Sequence, residues 1–567
     1  MTRVTVPPPQ MLPLGTSQPP GDKHAISTSL PTWDSVPGRA LGYKWVTDKL
    51  QSNYPRFGIN TIVQKLASAV LTRLNISAKE NENEKDCLVF PSEDAARRCI
   101  SYIQGHYEGT DVQADMAEFR LPLSNRWARF FAVVYDAEAK KEGAHFWSMF
   151  GDGLGSRHAE FCLSVWEDMA AHSNTAGGTL CRCCECAGLD TGFGVGNGNG
   201  NTHTAGEEQD CQVKRELKTR VARLVASENP SLTPPTESDV FLYPKGMCAI
   251  FAVSRALLPT DELEASEAVI FGWPYAETPK CVSNTGYARF TLYNQGSTSE
   301  LDDLESRIAS GSRICVLFCE VPSNPLLRTP DLHRIRDLAE KYNFVVVCDE
   351  TLGTFINIDI LPYVDIAITS PMKIFNGAGN AMGGSVVVNP ESRHYEILHT
   401  NLAARYEDFL FPSEAAILAQ NFRDIESRIH RCNANALAVS TFLSTQPCIK
   451  KVLYPYHSET RPLYERYRRQ DGPGGYGYVL SIVFAEPEMA IRFYNVLNLR
   501  KGPTVGTNFS LALPYAWLAH VFDMEWAESQ GIPRHIVRIS VGLEGEGDLV
   551  RCVGKALEDL VPAARGN

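Results

Sequence analysis

The sequence lacks three features that would indicate a membrane, a secretory route or a nucleic acid. In 567 residues no stretch approaches the roughly 18 to 20 uninterrupted apolar residues that a membrane-spanning helix needs. Residues 1–24 are rich in proline and contain no apolar run of the signal-peptide type. Basic residues number 54 against 66 acidic ones, which gives a formal net charge of -12 without a basic cluster. We therefore expect a cytoplasmic protein that binds neither membrane nor nucleic acid.

The sequence also lacks the cysteine spacing of a disulfide framework. It contains 16 cysteines, but most stand singly in apolar runs, as Cys315 and Cys348 do, where a small buried thiol in a reducing compartment explains them. Four cysteines crowd together between Cys181 and Cys186, without the spacers typical of zinc-ligand pairs. We predict no metal there and interpret these cysteines as part of a disordered insertion, with a metal site as the alternative.

A segment rich in cysteine, glycine and asparagine divides the chain. This segment, residues 176–212, contains GFGVGNGNGN and is typical of a flexible, disordered linker. Before it we predict an N-terminal region over residues 1–140 and a helical segment over residues 141–175. After it we predict a large domain over residues 213–410 and a small C-terminal domain over residues 411–567.

After the linker, short apolar runs alternate with amphipathic stretches. The runs predict strands that are buried on both faces, and they are AVIFGW (268–273), ICVLFCE (314–320), FVVVCDE (344–350), DIAITS (365–370) and GSVVVN (384–389). Between two of them, TPDLHRIRDLAEKY predicts a helix that Thr329 caps and Pro330 begins. Such alternation is typical of an α/β fold with a mostly parallel sheet, whose ligands bind at the carboxyl ends of the strands.

Polar residues follow these strands at that edge of the sheet. Asp349 follows FVVVC, and Ser370 and Lys373 follow DIAIT. Gly246 and Met247 open a predicted helix whose free backbone N–H groups can hold a phosphate. A lysine after a strand is, taken alone, usually a solvated loop residue. Together with a buried carboxylate and an anion site, it indicates a Schiff-base lysine and a cofactor with a protonated ring nitrogen.

Four segments then show a family resemblance. VVVCDETLGTF, DIAITSPMKIFNGAGNAMGGSVVVNP, CEVPSNPLLRTPDL and VRISVGLE resemble the motifs of the Cys/Met-metabolism family of pyridoxal 5'-phosphate (PLP) enzymes, over about residues 238–555. KWVTDKLQSNYPRF and FGDGLGSRHAEFCL are similar to the N-terminal region of fungal cystathionine gamma-synthases. The resemblance implies PLP fold-type I (aspartate aminotransferase-like), with a mostly parallel sheet domain, a smaller C-terminal α/β domain and an N-terminal α/β extension.

The resemblance implies roles for the residues around the cofactor ring. Lys373 matches the lysine that bonds PLP covalently and later moves protons between substrate carbons and cofactor. Asp349 matches the aspartate that keeps the ring nitrogen charged. Tyr275 matches a tyrosine that stacks on the ring and assists proton transfer, with an ordinary core aromatic as the alternative. Asn324 matches an asparagine that supports the ring hydroxyl, although its SNP sequence is also a common turn.

Other matches concern the phosphate and the substrate. Gly246, Met247 and Ser370 fall where the family holds the phosphate. Arg538 matches the arginine that binds the substrate α-carboxylate with two hydrogen bonds, and Thr504 matches a hydroxyl residue beside it.

A last match concerns a neighbouring subunit. Ser156 and Arg157 are interpreted as the counterpart of the family's tyrosine-x-arginine element, in which a neighbouring subunit contributes to the phosphate site. The resemblance therefore implies a homodimer or homotetramer.

Departures from the family pattern leave the reaction open. Met372 stands where a threonine is usual, Lys245 replaces a small hydroxyl residue, and Gly377–Asn380 lacks an acidic residue that is usual there. The leading hypothesis is γ-replacement on an O-acyl-L-homoserine with cysteine, which gives cystathionine for methionine biosynthesis. The alternatives are a specialised-metabolism enzyme that joins O-acetyl-L-homoserine to a carbon or other nucleophile, a cystathionine lyase, and a non-catalytic regulator or scaffold.

Overall fold

The computed structural model describes residues 6–76, 85–123, 125–175, 205–259, 266–472 and 474–560. They belong to two compact units, which we call the main unit and the inserted unit. The main unit runs up to Tyr54, from Lys214 to Asp408 and from Ala416 onward, and the inserted unit comprises Pro55 to Val213 with Phe409–Ala415. The predicted N-terminal region of residues 1–140 is therefore divided at Pro55, because the residues before it pack into the main unit.

The N-terminal segment of the main unit, residues 6–54, contains short elements. They are strands β1 (Ser17–Gln18) and β2 (Ser27–Thr28), which pair antiparallel, and helices α1 (Ser35–Ala40) and α2 (Lys44–Thr47). Several apolar side chains of this segment are buried, among them Leu30 and Trp33. The segment is thus an integral part of the main unit's core.

The inserted unit is built on a small antiparallel sheet. Its elements are α3 (Thr61–Arg73), β3 (Lys85–Phe90), α4 (Glu93–His106), β4 (Ala114–Arg120), β5 (Arg129–Asp136), α5 (Lys140–Phe150) and α6 (Ser156–Thr175). The strand order is β3-β5-β4. Because the buried residues Ile62, Leu66 and Val70 recur at helical spacing, α3 presents one apolar face.

The predicted linker is shorter than expected. Helix α7 (Ala205–Val225) includes the last eight residues of the range 176–212, so those residues are helical rather than disordered. The rest of that range, including Cys181–Cys186, lies outside the described residues. Within the part of the chain that the structure describes, no group of three or more His, Cys, Asp or Glu side chains could hold a metal ion.

A seven-stranded sheet forms the centre of the main unit. Its elements are β6 (Val240–Tyr243), α8 (Gly246–Ala256), β7 (Glu267–Phe271), α9 (Thr278–Ser283), β8 (Arg289–Tyr293), α10 (Thr298–Ala309), β9 (Val316–Glu320), α11 (Leu332–Tyr342), β10 (Val345–Asp349), β11 (Ile366–Thr369) and β12 (Gly384–Val388). The order is β6-β12-β11-β10-β9-β7-β8, and only the pairs that include β12 are antiparallel. The predicted, mostly parallel sheet is confirmed.

Helix α11 begins later than predicted. Its first residue is Leu332 and its N-cap is Asp331, whose Oδ1 accepts a hydrogen bond from Arg334 N over 3.2 Å. The prediction that Thr329 caps the helix and Pro330 begins it was wrong. An aspartate satisfies the free N–H groups of a first turn at least as well as a threonine.

A second sheet lies in the C-terminal part of the main unit. The elements that follow β12 in the chain are α12 (Tyr395–Arg405), α13 (Pro412–Asn421), whose first residues belong to the inserted unit, α14 (Ile425–Ser444), β13 (Ile449–Leu453), α15 (Arg461–Tyr467), β14 (Val479–Phe484), α16 (Pro487–Val496), β15 (Arg500–Lys501), β16 (Leu511–Pro514), α17 (Tyr515–Ala519), α18 (Met524–Ser529), β17 (Val537–Ser540) and α19 (Glu546–Glu558). Its strand order is β13-β14-β17-β16-β15. Across the described ranges, no helix is long and apolar enough to cross a membrane.

Candidate active site

Lys373 lies in the turn that follows β11, at the carboxyl edge of the large sheet. Its backbone N–H donates to Ser370 O over 3.0 Å, and the residue is 9% exposed. Its Nζ donates to the Tyr54 hydroxyl over 2.8 Å and lies 3.3 Å from Thr504 Oγ1. Neither partner is a carboxylate, so hydrogen bonds to two hydroxyls hold this amine. Such an amine is placed for covalent chemistry and proton transfer.

Tyr54 is a site residue that the sequence analysis missed. It ends the N-terminal segment and is buried beside Lys373, with Nζ 4.7 Å from the centre of its ring. Burial raises the pKa of Tyr54, but the Lys373 charge and hydrogen bonds to Lys373 and Tyr275 outweigh it and lower this pKa. The signal was present in the sequence, because Tyr54-Pro55-Arg56 has the tyrosine-x-arginine spacing that was assigned instead to the region of Ser156.

Asp349 and Glu320 form a pair of half-buried carboxyl groups. They end the parallel strands β10 and β9 and lie opposite each other in register. Burial raises the pKa of Asp349, against a 2.8 Å hydrogen bond from Thr351 N and the charge of Lys373. Burial and the neighbouring Asp349 raise the pKa of Glu320 well above its usual range. The raised pKa of Glu320 favours its protonated form, whereas the Thr351 hydrogen bond and the Lys373 charge favour the carboxylate of Asp349.

Tyr275 joins this pair to Tyr54. Its backbone N–H donates to Glu320 Oε1 over 2.6 Å, and a hydrogen bond from its side chain contributes to the lowered pKa of Tyr54. The loop that carries Tyr275 is thus fixed at the same sheet edge as Lys373.

Arg538 is a buried cation on β17. It is 5% exposed, its Nη1 donates to Asn324 Oδ1 over 3.1 Å and its Nη2 to Pro503 O over 2.9 Å. Its guanidinium lies 5.2 Å from the centre of the Tyr515 ring, and burial lowers its pKa. Both hydrogen-bond acceptors are uncharged, so a bound carboxylate would satisfy the charge of this guanidinium.

Gly246 and Ser370 form a corner that suits an anion. Gly246 opens α8, an 11-residue helix, and a Cβ on this residue would lie only 2.9 Å from Ser370 Oγ. Glycine therefore allows the first turn, with Met247, to approach the serine hydroxyl. The free backbone N–H groups of a first turn and a hydroxyl are the donors that a phosphate accepts.

These residues fit PLP. Lys373 would bond its aldehyde carbon, and Gly246, Met247 and Ser370 would hold its phosphate. Asp349 supports this fit, because desolvation raises the pKa of its half-buried carboxyl group, and a protonated ring nitrogen is the kind of cation that would stabilise the carboxylate.

Ser156 and Arg157 lie in the inserted unit. Both are buried at the start of α6, and Arg157 Nη1 donates to Glu414 Oε2 of the same unit over 2.7 Å. A role for the two residues at a neighbouring subunit's phosphate site stays a prediction. The ion pair gives Arg157 a structural partner within its own unit.

Comparison with protein-family models gives two matches. Residues 236–558 match the model described as Cys/Met metabolism PLP-dependent enzyme. Residues 62–155 match the model described as fungal trans-sulfuration enzyme, N-terminal domain. The first match covers more than half of the chain and includes all the proposed site residues except Tyr54, Ser156 and Arg157.

Individual proteins are similar over most of their length. The chain is 45% identical to a cystathionine gamma-synthase-like protein, ankD, of Aspergillus thermomutatus, over 97% of this chain and 94% of that protein. It is 35% identical to a cystathionine gamma-synthase of Neurospora crassa, over 96% and 98% of the two chains. A solved structure of cystathionine gamma synthase from Xanthomonas oryzae has the same fold, with a TM-score of 0.52 and 22% identity over 65% of this chain and 91% of that one.

Proposed function

Because this chain belongs to the Cys/Met metabolism family of PLP-dependent enzymes, we propose that it catalyses γ-replacement on an O-acyl-L-homoserine. Cysteine is the proposed nucleophile and cystathionine the product. The observation that carries the proposal is the position of Lys373 Nζ, between the Tyr54 hydroxyl and Thr504 Oγ1. The chain is a PLP-dependent enzyme of the trans-sulfuration type, so the hypothesis of a non-catalytic scaffold is set aside.

Proton transfer is the task of Lys373 and Tyr54. When bound, PLP supplies an electron sink that makes protons on the substrate carbons removable. Lys373 Nζ, freed when the substrate amine replaces it, takes protons from the substrate Cα and Cβ so that the acyloxy group can leave Cγ, and it returns protons after the cysteine sulfur has added to Cγ. The Tyr54 hydroxyl, 2.8 Å from Nζ, exchanges protons with this amine, and its lowered pKa favours that exchange.

Substrate orientation is the task of Arg538 and Thr504. Two neutral acceptors hold the guanidinium, Asn324 Oδ1 and Pro503 O. Its remaining donors bind the α-carboxylate of the amino-acid substrate. Because Pro503 precedes Thr504, which contacts Lys373 Nζ, one loop joins the carboxylate site to the proton-transferring amine.

Arg538→Lys tests this assignment. We expect KM for O-acetyl-L-homoserine to rise about 10- to 100-fold, because a hydrogen bond to a charged group contributes about 1.5–3 kcal/mol and lysine cannot make two parallel ones. Steady-state kinetics at saturating cysteine measures it. Arg534→Lys, which alters a more exposed arginine paired with Glu528, is the control and leaves KM unchanged. An unchanged KM in the Arg538 variant would remove the residue from the carboxylate site.

Analysis of the reaction products tests whether cysteine is the nucleophile. With O-acetyl-L-homoserine and cysteine, we expect mass spectrometry to detect cystathionine and acetate in equal amounts, without ammonia. Ammonia release from the acylated substrate or from cystathionine would instead indicate elimination, the lyase alternative. The visible absorbance of lysine-bound cofactor confirms in the same sample that the enzyme is loaded.

A second candidate function has its own support. The relative at 45% identity is named synthase-like rather than synthase, and Met372 and Gly377–Asn380 depart from the usual family sequence beside Lys373. This candidate joins O-acetyl-L-homoserine to a carbon nucleophile and forms a non-proteinogenic amino acid. An adduct with an enolisable ketone, together with no cystathionine from cysteine, would favour it over the first candidate.

The assembly state is a further part of the proposal. A homodimer or homotetramer follows if Ser156 and Arg157 reach a neighbouring active site. In the structure the tyrosine beside Lys373 is Tyr54 of the same chain, so this contact does not itself require a second subunit.

A further inference from the structure

The N-terminal segment, residues 6–54, touches both loops that carry the proposed site residues. At the loop after Lys373, Ile26 N donates to Gly379 O over 3.0 Å, and Asn380 Nδ2 donates to Asp22 Oδ2 over 3.2 Å. At the loop before Thr504, a Cβ on Gly502 would lie 2.7 Å from Thr28 O. We call residues 6–54 the strap, because it runs along these loops before it ends at Tyr54.

An aromatic contact holds the middle of the strap. Trp33 packs edge-on against Tyr494, with ring centres 6.0 Å apart, and is stacked on His535 at 5.7 Å. Its backbone N–H donates to Asn495 Oδ1 over 2.7 Å, and the Tyr494 hydroxyl donates to Leu30 O over 2.7 Å. These contacts bury the strap against α16 and the residues before β17.

Lys501 makes polar contacts with the strap beside these aromatic residues. It is 0% exposed, and its Nζ donates to Pro31 O over 2.8 Å and to Asn495 O over 3.3 Å. Its own carbonyl accepts from Gln18 Nε2 over 3.0 Å and from Leu30 N over 3.1 Å. One residue therefore ties two stretches of the strap to β15.

Burial of the Lys501 amine carries a desolvation cost that no carboxylate partner offsets. Its Nζ donates to main-chain oxygens and to a thioether sulfur, Met11 Sδ, and none of these is a carboxylate. Burial lowers the pKa of Lys501 to about 7, since desolvation penalises the charged form. Lys501 takes no part in the proposed chemistry. We therefore look for a structural role of this buried amine in the contact between the strap and β15.

Lys501 is also close in sequence to the proposed active site. Gly502 and Pro503 separate it from Thr504, whose Oγ1 lies 3.3 Å from Lys373 Nζ. Pro503 O accepts from Arg538 Nη2. The loop from Lys501 to Thr504 thus connects the strap with the amine and the guanidinium that the proposed reaction uses.

We propose that Lys501 is a positioning residue, which fixes the strap to the loop from Lys501 to Thr504 and thereby holds the Tyr54 hydroxyl against Lys373 Nζ. This assigns the N-terminal strap to the active site. The inference rests on the proposed function only where turnover is measured, since a spectroscopic readout of Lys373 needs no substrate.

A double-mutant cycle tests the proposal. Lys501→Met removes the amine and keeps the length of the side chain, and Tyr54→Phe removes the hydroxyl at the other end of the strap. We expect each variant to keep its bound cofactor and to shift the pH midpoint of the visible absorbance of lysine-bound PLP in the same direction. We expect kcat per bound cofactor to fall about 10-fold in each and no more than about 10-fold in the double variant, because both act through one contact.

A second variant and a control complete the design. Gln18→Leu disturbs the same contact from the strap side, and it is measured in the same way if Lys501→Met does not fold. Trypsin should cleave the strap at least about 10-fold faster in either variant, because a loosened segment opens more often. Lys451→Met, at a half-exposed lysine paired with Glu459, should match the wild type in all three measurements.

The possible results separate the two proposals. Additive effects of Lys501→Met and Tyr54→Phe, or an unchanged midpoint in the Lys501 and Gln18 variants, would overturn the positioning role. If the wild type turns over no acylated homoserine, the proposed function fails. The midpoint and the trypsin cleavage then still decide whether Lys501 positions Tyr54.

Discussion

Lys373→Ala is expected to lower kcat at least about 1,000-fold, because it removes both the covalent attachment point of PLP and the base for Cα. Lys373 Nζ lies between two hydroxyls, Tyr54 and Thr504, and neither can act as an amine. The effect should therefore appear in kcat more than in KM. The loss of kcat is measured as turnover of O-acetyl-L-homoserine with PLP in excess.

Borohydride reduction identifies the lysine independently of turnover. After reduction and digestion, the wild-type peptide that contains Lys373 should carry the mass of a pyridoxyl phosphate group, and the variant should carry none. Lys341→Ala is the matched control, because it alters an exposed lysine paired with Glu305, and exposed pairs contribute little to stability. A labelled peptide elsewhere, or full activity in Lys373→Ala, would disprove the assignment.

Asp349→Asn is expected to lower kcat about 100- to 1,000-fold, the usual effect of removing one preorganised electrostatic contact to a developing charge. The amide has the shape of the carboxyl group but cannot carry its negative charge. Burial already raises the pKa of Asp349, so the wild-type carboxylate is stable mainly beside a cation. Without it, the ring nitrogen of PLP loses its proton and the electron sink weakens.

Absorbance and kinetics together measure this effect. We expect Asp349→Asn to bind PLP more weakly and to show the loss of kcat even when the cofactor is saturating. Asp302→Asn changes an exposed aspartate paired with Arg334 and serves as the control. If the loss of activity in Asp349→Asn disappears completely at high PLP concentration, the residue acts in binding alone and not in the reaction.

Local sequence patterns predicted the large sheet well. Each of the five apolar runs contains a strand. Ends of elements were predicted less well. Helix α11 begins at Leu332 rather than Pro330, because Thr329 and Asp331 are both good capping residues and only the folded backbone selects one.

Some residues of the candidate site could be predicted from local sequence patterns, and others could not. Asp349 and Lys373 were found from their places after strands, because the carboxyl ends of parallel strands meet at one edge. Arg538 and Thr504 were found only through the family resemblance, since they come from distant parts of the chain. Tyr54 was missed because the tyrosine-x-arginine spacing of Tyr54 and Arg56 is a short pattern, which does not by itself indicate a contact with a distant lysine.

The alternation of buried strands and amphipathic helices, the polar residues at the strand ends and the family could all be predicted before the fold was known. These features depend on neighbours a few residues apart, and hydrophobic periodicity records such neighbours. The contact of Tyr54 with Lys373 across 319 residues of sequence, and the burial of Lys501 with its Nζ on Pro31 O of the strap, appear only in the folded chain. Contacts of this kind depend on how whole segments pack, and an apolar run or its spacing carries no record of its distant partner.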